Sequence, residues 1–380
     1  MIYLDNGATS FPKPRGMIDT MSRCMLEYCG NPGRSGHSFS MQTGDGVYNT
    51  RKRIAKLFNI SDPTRIIFTW NTTGALNLGI QGVLKEGDHV ITTSMEHNSV
   101  LRPLKMLESR GVEHTIVMCD KTGMVNLRDI KEVIKENTRM LICTHASNVV
   151  GTIQPIRELG EFARRNNLIF MVDGAQSGGV LPINVAEMNI DMLAMPGHKG
   201  LLGPMGTGFL YVKEGIQIEP LLSGGTGSAS KDRRQPTDMP DGFEAGTVNA
   251  PGIIGLGYSI DLLLKLGIPN IYEKEHELTK YLDEEIRNMK NVVVYGPEDI
   301  DKKVGIVTFN VKGKSCEQVA DELSEVYGIA ARGGFHCAGL AHKTIGTWEL
   351  GAVRLSIGIF NTKGQIKTAI EAVNRIRKNF

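Results

Sequence analysis

Across the first two thirds of this 380-residue chain, short apolar runs alternate with amphipathic stretches. That alternation constrains the fold more than any other feature. The runs 89–93, 114–119, 139–144, 168–173 and 191–194 have strand length. Between them, 99–109, 127–136 and 156–165 carry apolar residues at helical spacing. Strands alternating with helices make βαβ units, so the expected class is α/β with a mostly parallel sheet. In such sheets ligands sit at the carboxyl ends of the strands, so the chemistry is expected just after each run. Residues 223–241 are rich in Gly, Ser, Pro and charge and read as a long loop. Beyond residue 257 the pattern changes to helices over 257–266 and 272–289, strands over 292–295 and 305–311, a helix over 317–327, a strand over 352–357 and a final helix over 363–378. That pattern describes a smaller α+β unit. The expected division is a large domain over 15–257 and a small one made of 1–14 and 258–380.

Charge and cysteine content narrow the function. Lys plus Arg is 43 and Asp plus Glu is 41, a formal net charge of +2. Nothing there favours nucleic acid or an anionic membrane as partner. No apolar run approaches a membrane span, and the start Met-Ile-Tyr-Leu-Asp-Asn-Gly lacks the basic-then-apolar order of a signal peptide. The six cysteines, Cys24, Cys29, Cys119, Cys143, Cys316 and Cys337, include no C-x-x-C pair. A zinc site or disulfide scaffold is therefore not expected, and no metal is assigned. The expectation is a reduced, cytoplasmic protein. P-loop and Rossmann glycine fingerprints are both absent.

Two residues after strand-like runs point to a cofactor. Asp173 ends an apolar run and opens Asp173-Gly-Ala-Gln176. Alone it reads as a turn or helix-capping aspartate. Lys199 sits in Gly197-His198-Lys199-Gly200, just past the run at 191–194. A lysine is usually a solvated charge, but one held between glycines at a strand end can be a buried amine that forms Schiff bases. Together, a Schiff-base lysine and a carboxylate that keeps a pyridine nitrogen protonated suggest pyridoxal 5'-phosphate. The remaining parts of such a site have candidates. Thr72 and Thr73 follow the run at 65–70 and open a helical stretch, as a phosphate grip or as simple N-caps. His97 follows the run at 89–93, as a ring-stacking group or an exposed loop histidine. Asn148 and Gln176 could each donate to the ring's phenolic oxygen.

At this point the residues resemble a known family. The chain is similar to cysteine desulfurases of the class V aminotransferase group, which are fold-type I pyridoxal phosphate enzymes. The resemblance runs nearly end to end through Tyr3-Leu-Asp-Asn-Gly-Ala-Thr9, Thr72-Thr73, Met95-Glu-His97, His145-Ala-Ser-Asn148, Val172-Asp-Gly-Ala-Gln176, Gly197-His-Lys199, Phe243-Glu-Ala-Gly-Thr247, Arg332-Gly-Gly-Phe-His-Cys337 and Arg354-Leu-Ser-Ile. It implies that Lys199 is the Schiff-base lysine and a proton shuttle. It implies that Asp173 pairs with the ring nitrogen, that Gln176 and Asn148 contact the phenolic side, and that His97 stacks on the ring. Thr72, Thr73 and His198 would hold the phosphate. Thr247 would reach the phosphate of a neighbouring subunit, implying a homodimer. Arg354 would clamp the substrate carboxylate, with Arg332 and Asn6 as further substrate-side residues.

Cys337 decides the reaction that the resemblance implies. It would take sulfur from L-cysteine as a persulfide, leave alanine, and pass the sulfur to an acceptor protein or thiol, with iron–sulfur cluster assembly as the family's common destination. The short spacing from Arg332 to Cys337 resembles the SUF-type group. The other five cysteines sit in helix or strand patterns and read as structural. Three departures stand out: Pro196 where a hydroxyl residue is usual, Gly7 where alanine is usual, and the loop around His342 and Lys343, read mainly as surface charges. Selenocysteine lyase, with L-selenocysteine as substrate, another class V aminotransferase or C–S lyase, and a non-catalytic sulfur-relay scaffold are the alternatives.

Overall fold

The computed structural model describes every residue except 34, 229, 379 and 380. The chain opens with β1 (Ile2–Tyr3), α1 (Arg15–Glu27) and α2 (Ser38–Phe58). Seven strands then build the large sheet: β2 (Ile66–Thr69), β3 (His89–Thr93), β4 (Glu113–Val117), β5 (Thr138–Thr144), β6 (Ile169–Asp173), β7 (Met192–Pro196) and β8 (Gly208–Val212). Their spatial order is β2-β8-β7-β6-β5-β3-β4. Neighbours from β7 through β4 pair in parallel, and β8 runs antiparallel to both β7 and β2. The helices α3 (Thr72–Val83), α4 (Asn98–Leu107), α5 (Leu127–Glu132) and α6 (Ile156–Arg165) join these strands. Every residue of β3, β6 and β7 is buried, as expected for a sheet covered on both faces.

This is the expected α/β class. Strand β8 is an addition: it follows β7 after a turn rather than a helix, so a reading built on strand–helix alternation passes over it. Helices α1 and α2 are also additions. The buried positions Val47, Ile54, Ala55 and Phe58 of α2 do carry helical spacing, legible in retrospect. Helix α5 stops at Glu132, short of the expected 136. The span 223–240 contains no helix or strand among its described residues, and a short 3-10 helix, Asp241–Phe243, begins at its end.

The second part begins with α7 (Ala250–Leu266) and α8 (Ile268–Arg287). Helix α7 starts seven residues before the expected 257 and runs through the point drawn as a boundary; its Ile253, Leu256, Ile260 and Leu263 join the core of the large sheet. Gly267 separates α7 from α8 at φ +81°, where a side chain would be strained, and the two axes differ by 80°. No single helix among the described residues is long and apolar enough to cross a membrane. Then follow β9 (Val292–Tyr295), β10 (Ile306–Val311), α9 (Cys316–Glu325), β11 (Ile329–Ala330), β12 (Arg332–Gly334), α10 (Gly339–Thr344), β13 (Ala352–Ser356) and α11 (Lys363–Ile376). The small sheet has the order β12-β13-β10-β9 and is antiparallel, packed on α8, α9 and α11 through a separate apolar core. β1 pairs with β11, which ties the N-terminus to this second part.

A buried ion pair ties the segment before α7 to α2. The Arg51 guanidinium on α2 meets the Glu244 carboxylate at 2.5 Å, both side chains less than a tenth exposed. Glu244 also accepts from the Phe68 amide on β2. The loop before α7 is thus fastened to the sheet edge by a carboxylate whose partners leave it no solvent.

Candidate active site

A cavity of about 300 Å³ opens at the carboxyl ends of β5, β6 and β7. Strand register explains it: Thr144 lies opposite Asp173, and Asp173 opposite Ala194, so three parallel strands end side by side. Of the residues expected at the site, Thr72, Thr73, His97, Asn148, Asp173, Gln176, His198, Lys199, Arg332 and Arg354 all line this cavity.

Lys199 and Asp173 form its electrostatic centre. The Asp173 carboxylate is buried, accepts from the Ala175 amide at 2.9 Å, and is pushed up by desolvation. Burial lowers the Lys199 amine to about 8; Asp173 opposes that shift, while Arg354 and Arg332 reinforce it. The amine makes no hydrogen bond or ion pair among the described residues. An amine so placed is neutral over part of the physiological range and available as a nucleophile.

The wall at α3 and α4 is a hydrogen-bond chain with a fixed direction. The Asn71 side chain caps α3 by accepting from Gly74, leaving the amides of Thr72 and Thr73 at the helix mouth. His97 caps α4: its Nδ1 accepts from the Ser99 amide at 3.0 Å, so the proton of the neutral ring sits on Nε2. The Ser99 hydroxyl therefore donates to Nδ1 at 2.8 Å, and the Thr73 hydroxyl donates to Ser99 at 2.8 Å. Thr73 thus offers the cavity its backbone amide rather than a free hydroxyl proton. Burial and four cations, Lys199, Arg332, Arg102 and Arg354, hold His97 down to about 4. His198 is also held to about 4, chiefly by burial, and its Nδ1 is buried without a partner among the described residues.

Arg354 lies on β13, with a side chain 1% exposed. One terminal nitrogen donates to the Asn148 carbonyl at 2.9 Å and the other to Asp5 at 2.7 Å. Its Nε is buried without a partner among the described residues. Gly7 packs closely here: a Cβ there would approach the guanidinium carbon to 3.1 Å, so the side chain would have to give by a few tenths of an ångström. The Gln176 amide donates to the Gly7 carbonyl at 2.9 Å, which draws the N-terminal segment over the cavity.

Three expected site residues lie elsewhere. Asn6 is outside the main cavity and lines an adjoining one of about 40 Å³; its side chain binds Ser356 and Asn361 and closes the N-terminal turn. Thr247 is also outside, and its hydroxyl accepts from Asn31 at 3.4 Å. Cys337 borders a neighbouring open cavity of about 410 Å³, which shares Thr73, His97 and Ser99 with the main one. Its thiol is exposed, and Arg332 Nη2 lies 3.5 Å from Sγ.

Sequence reasoning missed several partners. Asp5, Ser99 and His336 sit in or against the cavity, each one to two residues from a residue already singled out. Glu96 is completely buried; its Oε1 accepts from Thr93 and from the Thr144 amide, its Oε2 has no partner among the described residues, and burial raises it to about 8. Two expectations need correction. Cys29 is exposed, because α1 ends at Glu27 before the chain turns away; the remaining four cysteines expected to be structural are buried. His342 is fully buried rather than a surface charge, because α10 turns it inward, while Lys343 is exposed.

A Schiff-base-type lysine, a buried aspartate and a helix mouth at the carboxyl edge of a mostly parallel sheet mark a fold-type I transferase. The chain belongs to the aminotransferase class-V family, whose family model matches residues 2–368. Within that family it groups with the cysteine desulfurases. It is 36% identical over 382 residues to a probable cysteine desulfurase of Methanothermobacter thermautotrophicus, covering 99% of this chain and 94% of the relative. It is 33% identical to the cysteine desulfurase IscS of Clostridium botulinum, covering 99% and 94%. The apo cysteine desulfurase of Thermococcus onnurineus NA1 superposes with a TM-score of 0.94 at 34% identity, covering 100% of this chain and 95% of that one.

Proposed function

We propose that the chain is a pyridoxal phosphate-dependent cysteine desulfurase that takes sulfur from L-cysteine onto Cys337 and leaves alanine. The observation that carries the reading is the unpaired Lys199 amine and buried Asp173 in one cavity, with the exposed Cys337 thiol at the neighbouring mouth. The residues present fit the cofactor: among the described residues the amine and the His198 Nδ1 have no partner, and Thr72 and Thr73 at the mouth of α3 line the same space. Bound there, pyridoxal phosphate supplies an electron sink that weakens bonds at the substrate's α and β carbons.

The chain's own residues do the rest. Lys199 would hold the cofactor's aldehyde carbon, and its amine would move protons at the substrate carbons. Asp173 would pair with the ring nitrogen and favour its protonated form. His97, with its proton fixed on Nε2, presents a neutral ring to the cofactor's face. Thr72, the Thr73 amide and His198 would hold the phosphate. Arg354, on the cavity wall, would receive the substrate carboxylate, and Arg332 adds charge nearby. The Cys337 thiolate attacks the substrate sulfur: an S–S bond forms, the carbon–sulfur bond breaks, and its electron pair stays with the carbon fragment that is protonated to alanine. A thiolate acceptor R–S⁻ then takes the outer sulfur as R–S–SH and returns Cys337 to its thiolate.

Thr247 lies away from its own cavity, which supports a homodimer in which it serves the partner's phosphate. The test is a spectrum of the purified protein before and after L-cysteine, with alanine and reductant-released sulfide assayed together. A shifting yellow band with alanine and sulfide supports the reading; a yellow protein that makes alanine only from selenocysteine replaces it.

A further inference from the structure

Cys337 is exposed, yet the residues on either side of it, His336 and Ala338, are buried. His336 and Cys337 take φ values of +51° and +59° in succession. Residues with side chains adopt that region in pairs only where the surroundings hold them. The backbone is held from the large sheet's side. The Asn148 amide donates to the His336 carbonyl at 2.6 Å, and the Asn98 amide donates to the Cys337 carbonyl at 2.9 Å.

The side-chain hold comes from α10. His336 Nε2 lies 3.2 Å from the Arg332 carbonyl, which can only accept, so Nε2 carries the proton. His336 Nδ1 therefore accepts, and His342 Nε2, 3.2 Å away, donates. His342 Nδ1 accepts in turn from the Thr347 hydroxyl at 2.8 Å. The two imidazoles stack at 5.3 Å with 19° between planes, and Phe335 packs against His342 at 5.2 Å. In both rings Nε2 donates and Nδ1 accepts, and the Phe335 backbone adds a further hydrogen bond to His342. The last acceptor, Arg332, carries the guanidinium beside Cys337 Sγ.

We propose that His342 is a positioning residue for Cys337: the one-way chain Thr347–His342–His336–Arg332 fixes the turn that aims the thiol between substrate and acceptor. The proposal rests on the reading of Cys337 as the sulfur acceptor. Asn148 ties the same turn to Arg354, so the nucleophile and the carboxylate clamp share one reference point. A thiol displaced from that geometry loses rate without losing substrate binding.

Three variants test it in the cofactor-loaded protein: His342→Met, which keeps volume and loses the donor; His342→Gln, whose amide can donate to His336 Nδ1; and Thr347→Val. Leaving the buried His336 Nδ1 without a donor should lower kcat about tenfold, with the KM for L-cysteine within about twofold of wild type. His342→Gln should recover kcat to within about threefold, and Thr347→Val should fall in the same direction but less. In parallel, iodoacetamide alkylation of Cys337 is scored against exposed Cys29. Their rate ratio should change in His342→Met and return in His342→Gln. Unchanged kcat and ratio in His342→Met overturn the proposal, as does a His342→Gln variant no better than His342→Met. If His342→Met does not fold, an unchanged kcat and ratio in Thr347→Val overturn it. A wild-type protein that makes no alanine from cysteine sinks the desulfurase reading instead, and the alkylation ratio still decides the role of His342.

Discussion

Asp5 and Arg354 meet at 2.7 Å across 349 positions of sequence, a carboxylate from the N-terminal turn against a guanidinium on the small sheet. The guanidinium is almost wholly buried, and the carboxylate is its one anionic partner among the described residues. Removing one member of a buried pair costs about 3 kcal/mol or more, because the other charge is left without compensation. Asp5→Ala should therefore lower unfolding stability by about that amount in urea titration. It should also raise the KM for L-cysteine, since the clamp loses its anchor. Unchanged stability would show that water or another group takes over from Asp5.

Cys337→Ser removes the sulfur nucleophile and leaves the cavity intact. The expected protein keeps the yellow absorbance of the cofactor and its response to L-cysteine, and forms no persulfide detectable by mass spectrometry. Alanine released at the wild-type rate would remove Cys337 from the reaction.

The Lys199 amine titrates near 8, held down first by burial. Only the neutral amine attacks the cofactor's aldehyde. The rate of reconstitution from cofactor-free protein should therefore climb as pH rises from 6 through about 8 and level off above it. The sign follows from the direction of the shift: an amine at its ordinary value near 10.5 would still be gaining reactivity at pH 9. Stopped-flow absorbance across pH distinguishes the two.

Ser99 links Thr73 to His97. Ser99→Ala deletes the hydroxyl and keeps the backbone amide that fixes the His97 proton on Nε2. One neutral hydrogen bond contributes about 1 kcal/mol, so the expected loss in kcat/KM is about fivefold. A far larger loss would mean that Ser99 itself handles a proton.

Much of this molecule was legible before any fold was known. The strand at 89–93 and the helix at 156–165 have the bounds expected of them, and ten expected site residues line one cavity. Periodicity carries that information because burial acts locally, residue by residue, along each strand and helix. Strand β8 and helices α1 and α2 escaped because they break the strand–helix alternation that organised the reading. Cys29 escaped because its exposure depends on where α1 stops, and that depends on how the following residues pack.

The sequence by itself determined the chemistry available: a lysine and an aspartate after strands, a cysteine in a glycine-rich turn, and the order of motifs that places the chain in its family. Only the tertiary structure decided the pairings. Asp5 reaches Arg354, Asn148 spans from the clamp to the Cys337 turn, and His342 turns inward to hold His336. These contacts join residues far apart in the chain or set by one helix's rotation. Hydrogen-bond direction and the burial of charge depend on which groups finally face each other, and no spacing rule along the chain encodes that.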